Sequence, residues 1–62
     1  MAGEREVIFE FLHVGAAVKV TAVDVATGIE VSIVGDPAVG EAALKQLARQ
    51  KLEYVRARRS ER

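Results

Sequence analysis

A chain of 62 residues with one histidine and no cysteine has room for a single domain, and it excludes disulfides, thiolate metal sites and the usual ligands of a structural zinc. Half of the residues are hydrophobic, too many for a disordered chain, yet no apolar run approaches the roughly 20 residues that span a bilayer. Nine acidic and nine basic residues cancel to a net charge of zero, but they are unevenly spread.

The opening MAGEREV carries acidic residues and lacks an apolar core, so it does not read as a secretory signal. The expectation is a soluble cytoplasmic protein without membrane contact, with residues 1–4 as a frayed end. Residues 5–14, REVIFEFLHV, alternate and are rich in β-branched and aromatic side chains, the mark of a strand. Gly15-Ala16 follows with glycine first, the preference of a two-residue type II′ hairpin turn. Pairing across it sets Phe11 opposite Val20, Phe9 opposite Ala22 and Val7 opposite Asp24, and places the second strand at about 17–25.

Two registers compete in the second hairpin. A three-residue loop with a bulge at Gly28 turns Ile29, Val31 and Ile33 away from the phenylalanines, whereas a four-residue loop sets Asp24 against Ile29 and turns them toward that face. A one-residue slip exchanges the faces, so the hydrophobic pattern decides for the four-residue loop. One face then carries Val7, Phe9, Phe11, Val18, Val20, Ala22, Ile29, Val31 and Ile33. The third strand covers about 29–34.

Gly35-Asp36-Pro37-Ala38-Val39-Gly40 ends that strand. Asp36-Pro37 suits a helix cap followed by proline in the first turn, while Gly40 favours a start at Glu41, so the helix begins at either place and runs to about Arg58, with 38–58 as its working span and 59–62 frayed. Leu44, Leu47, Ala48, Leu52 and Val55 form its apolar stripe. Lys51 falls within the stripe, where its stem can pack while its ammonium reaches water, and Tyr54 borders it with its ring buried. The expected fold is α+β, a three-stranded antiparallel meander in order 1-2-3 with one C-terminal helix on one face (βββα), in a single domain over 1–62.

Residue chemistry points away from catalysis. His13 reads as a strand-end residue beside Val18, without the base and orienting partner that a catalytic imidazole requires. Glu6, Glu10 and Glu30 read as a solvated sheet face, and Asp24 as an acceptor of backbone N–H groups in its turn. GDPAVGEAAL lacks the lysine of a phosphate loop. No metal and no cofactor are expected.

Two surfaces carry the functional expectation. Through Ala43 seven acidic residues face Arg5 and Lys19, and from Leu44 onward seven basic residues face Glu53 and Glu61. Macrodipole complementarity accounts for this; the sharper alternative is nucleic-acid or polyanion binding through Lys45, Arg49, Arg56, Arg58, Arg59 and Arg62, or an electrostatic contact between copies. Against nucleic acid, the outer sheet face is acidic and no stacking aromatics accompany the basic tract. That outer face also carries Ile8, Val23 and Val25 toward one end and Leu12 and Val34 toward the other, more than a face turned wholly to water would show. A chain this short buries only about 60% of its unfolded surface, and association is the remaining aid once disulfides and metals are gone. The leading expectation is a non-enzymatic protein-interaction module, a homodimer or the partner of another protein, associating by the outer face or by the unpaired edge of an outer strand, with Ile8, Leu12, Val23, Val25 and Val34 as the interface candidates.

REVIFEF, KVTAVDVATG, EVSIVGDPA and the helix end KLEYVRAR, between about Arg5 and Arg58, resemble a family of short uncharacterised alphaproteobacterial proteins, a domain of unknown function. The resemblance implies a bacterial cytoplasmic protein and brings no activity, cofactor or binding residue. Some members bear a serine hydroxymethyltransferase label, but 62 residues are too few for that cofactor-dependent fold.

Overall fold

The computed structural model describes residues 6–60; the expected fray at 1–4, the first strand's Arg5 and the tail's Arg62 lie outside them. Three strands, β1 (Val7–Val14), β2 (Ala17–Asp24) and β3 (Glu30–Gly35), form an antiparallel sheet in the order β1-β2-β3, and one helix, α1 (Glu41–Ser60), packs on it. The architecture is the βββα meander that the alternation and turn residues lead one to expect.

Turn chemistry sets the register. Gly15 has φ 61°, while Ala16 and every other described non-glycine residue keep a negative φ, a combination that fits a type II′ turn and excludes I′. Phe11 then faces Val20, Phe9 faces Ala22 and Val7 faces Asp24. In the second hairpin Ala22 faces Val31 and Val20 faces Ile33, and the Asp24 amide donates to the Ile29 carbonyl at 2.9 Å. The four-residue loop is the one adopted. It brings Ile29, Val31 and Ile33 onto the phenylalanine face, where Val18, Val20, Ala22, Ile29 and Val31 are buried together with Leu44, Ala48 and Leu52 of the helix.

Strand and helix ends shift by a few residues from the expected spans. Val25 lies beyond β2, in the turn, and β3 runs one residue further, to Gly35. Both helix-start signals act in succession. The Asp36 carboxylate accepts the Ala38 N–H at 2.9 Å and Pro37 opens a short 3-10 turn, Pro37–Val39; after Gly40 the α-helix begins at Glu41, with Leu44 N–H donating to the Gly40 carbonyl. The α-helix thus starts later than 38, and it continues past 58, so that Arg59 and Ser60 are helical rather than frayed.

Gly35 has a role that its place in a strand-ending segment does not reveal. An alanine Cβ there would stand 2.6 Å from Leu44 Cδ2, so the missing side chain is what lets the helix sit down on the end of β3.

The other fastening point is Asp24, which is wholly buried. Its carbonyl accepts the Gly28 N–H at 2.7 Å and its Oδ1 accepts the Ala26 N–H at 3.0 Å, the turn role expected of it. Its Oδ2 stands 2.8 Å from Arg56 Nε, and Arg56 Nη1 also meets Glu53 Oε1 at 2.8 Å. This ion pair ties the second hairpin to the last turns of α1. It could be anticipated in part: Asp24 lies on the helix side of the sheet, and Arg56 follows Leu52 by four residues, one turn along the same helix face.

The helix does not cover the sheet evenly. It packs against β2 and β3, while Val7, Phe9 and Phe11 on β1 are only partly buried. Leu47, expected in the packed stripe, is 49% exposed, and Tyr54, expected to bury its ring, is 62% exposed. Both lie at helical spacing from Lys51, whose ammonium reaches the Ser32 carbonyl at 2.8 Å. That side of α1 therefore hangs over the outer margin of β3, and only the narrower stripe of Leu44, Ala48, Leu52 and Val55 meets the core.

Two stability effects follow. Asp24→Ala removes both the turn acceptor and Arg56's partner and is expected to cost about 3 kcal/mol, whereas Asp24→Asn keeps an acceptor for Ala26 and should cost less; urea denaturation of the two variants orders them. Gly35→Ala is expected to cost about 1–3 kcal/mol through overpacking against Leu44, read as a fall in melting temperature.

Candidate interaction surface

The register fixes which residues share the outer face. Its rows, read across the strands, are Ile8–Val23–Glu30, then Glu10–Thr21–Ser32, then Leu12–Lys19–Val34, with Val14–Ala17 at the first hairpin. Apolar side chains therefore occupy both ends of the face around a polar middle. In that middle the Thr21 and Ser32 hydroxyls lie 3.4 Å apart and share a hydrogen bond, and Thr21 is buried by its neighbours alone.

Of the expected interface residues, Ile8, Leu12, Val25 and Val34 are half or more exposed, Val34 to 71%. Val23 is less so, because it sits on the central strand between Ile8 and Glu30. Val14 belongs with them and was missed by the sequence reading. It is half-exposed and continues the even-numbered series 8, 10, 12 on β1, so alternation alone would have found it. Beside it lies a shallow groove lined by Val14, Ala16, Ala17, Val34, Gly35 and Asp36.

The basic tract does not form one stripe. Lys45 Nζ and Arg49 Cζ lie 5.1 and 5.3 Å from the centre of the Phe9 ring, roofing the part of β1 that the helix leaves open; such cation–π contacts combine attraction with burial of the aliphatic stems. Arg58 lies over Tyr54 and donates to its hydroxyl at 3.0 Å, on another side of the helix. Arg59 is exposed in the last turn. Arg56, counted with the polyanion candidates, is turned inward to Asp24 and Glu53.

His13 pairs with Val18 at the strand end and lines a cavity of about 160 Å³ together with Phe11, Val18, Pro37, Glu41 and Leu44. The cavity brings an imidazole and a carboxylate to a common wall, but no hydroxyl lines it, and it is well below the size of ordinary small-molecule sites, about 300–1,000 Å³. Among the described residues no group of three or more histidine and acidic side chains is placed to hold a metal ion.

No curated protein and no solved structure matches the chain. The family model for a domain of unknown function, DUF6898, matches residues 4–59, which takes in all three strands and nearly all of the helix. The chain belongs to that family.

Proposed function

We propose that this protein is a non-enzymatic α+β interaction module that works by self-association, in the cytoplasm of a bacterium. The observation that carries the reading is the set of half-exposed apolar side chains on a sheet whose other face already holds the core: Ile8, Leu12, Val14, Val25 and Val34. Eight buried hydrophobic residues among those described make a small core, and a second copy adds burial that the single chain lacks. The Thr21–Ser32 hydrogen bond lets those two hydroxyls lose water without being left unpaired, while Glu10, the third member of the row, stands on the marginal strand β1. No helix among the described residues is long and apolar enough to cross a membrane.

The polyanion reading has less support in the same structure. Lys45 and Arg49 are occupied with Phe9, Arg58 with Tyr54, and Arg56 with Asp24, so a phosphate backbone would have to draw them from contacts they already make.

Solution molar mass by light scattering, at low and high salt, tests both readings. A dimer that survives high salt is expected, and Ile8→Asp should weaken it at least tenfold. A monomer at every concentration would overturn self-association. A salt-sensitive complex with a nucleic acid, lost on removing Arg58 and Arg59, would favour the polyanion alternative.

A further inference from the structure

The two margins of the sheet are not alike. In an antiparallel ladder, residues alternate between hydrogen-bonded pairs and pairs whose backbone groups point away. The Asp24–Ile29 bond makes Ala22–Val31 and Val20–Ile33 the bonded pairs, so Glu30, Ser32 and Val34 turn their backbone groups to the open side of β3. That side is blunted: Lys51 donates to the Ser32 carbonyl at 2.8 Å, and a lysine on a sheet edge is a recognised obstacle to strand addition. On β1 the Val25 N–H donates to the Glu6 carbonyl, which makes Ile8–Val23, Glu10–Thr21 and Leu12–Lys19 the bonded pairs. Val7, Phe9, Phe11 and His13 then present their N–H and C=O groups outward, and α1 is displaced toward β3, away from them.

Apolar side chains gather on the same strand. Three of the five half-exposed outer-face residues, Ile8, Leu12 and Val14, lie on β1, and its inner side carries the partly buried Val7, Phe9 and Phe11. We infer that the free edge of β1 is the seat of a second copy of this chain, joined antiparallel about a two-fold axis into one six-stranded sheet. The inference rests on the self-association proposed above and names its surface.

A second copy fits for three reasons. An antiparallel edge is complementary to itself, since each outward N–H and C=O meets its counterpart under two-fold symmetry. One open edge and one blunted edge close the assembly at two copies instead of propagating it. The extent is also sufficient. Seven residues offer about 23 Å of edge, and with side chains on both faces two copies would bury on the order of 1,000 Å² in total, the lower end for a specific interface. The dimer is therefore concentration-dependent. An axis beside Phe11 sets Glu10 against Leu12 of the second copy and avoids the like-charge pair that an axis at Glu10 would create.

Amide hydrogen exchange on the whole protein, across a concentration series, tests this. The Phe9 and Phe11 amides should exchange rapidly when dilute and at least tenfold more slowly when concentrated, while the Ile8, Glu10 and Leu12 amides, already within the β1–β2 ladder, change little. His13→Pro removes one outward donor at an exposed position on an edge, where proline is tolerated; it should weaken the dimer at least tenfold, with the protection of the α1 amides confirming that the fold is kept. Val34→Asp, on the far strand, should leave the dimer intact. A dimer whose Phe9 and Phe11 amides stay fast, or that Val34→Asp abolishes, overturns the edge and leaves self-association by the outer face standing. A monomer at every concentration overturns both and leaves the edge to an unlike strand.

Discussion

Asp24 holds together parts of the molecule that would otherwise be joined only by apolar contact. Its backbone closes the second hairpin against Ile29 and Gly28, one carboxylate oxygen holds the Ala26 amide, and the other meets Arg56 on the helix. A wholly buried carboxylate is stable only where such partners replace its water. The ion pair therefore constrains both sides: the turn must keep its register, and the helix must run far enough to deliver Arg56. At the opposite end Gly35 admits Leu44 into contact with the end of β3. Between these two points α1 has little freedom to slide.

That placement has consequences for every exposed surface. Because the helix lies over β2 and β3, Lys51 reaches the margin of β3 while Phe9 on β1 receives only the cations of Lys45 and Arg49 as cover. The asymmetry leaves β1 with apolar side chains on both faces and an edge that no other described element covers. Of the helix's basic residues, Arg56 joins the ion-pair cluster with Asp24 and Glu53, while Lys45, Arg49 and Arg58 lie over aromatic rings.

Alternation along 7–14, 17–24 and 29–34, with glycine first in the opening hairpin, was enough to read the meander, both registers and the side chains that form the inner face. The helix was harder to read. Its stripe, judged by spacing, took in Leu47 and brought Tyr54 to its border, yet both stand in solvent. Spacing shows which side chains share a face of a helix, but it does not tell how wide a sheet lies beneath them. Three strands with the helix centred on two leave room for a stripe only as broad as Leu44, Ala48, Leu52 and Val55.

The elements, their order, the faces of the sheet and the turn role of Asp24 are legible in the amino-acid order alone, because each follows from periodicity or turn chemistry within a short stretch. The pairing of Arg56 with Asp24, the seat that Gly35 makes for Leu44 and the place of Lys51 at the margin of β3 come from the packing of helix on sheet. Those facts depend on the sideways position of the helix on the sheet. That position is set by contacts between residues distant in the chain, and no local pattern encodes it.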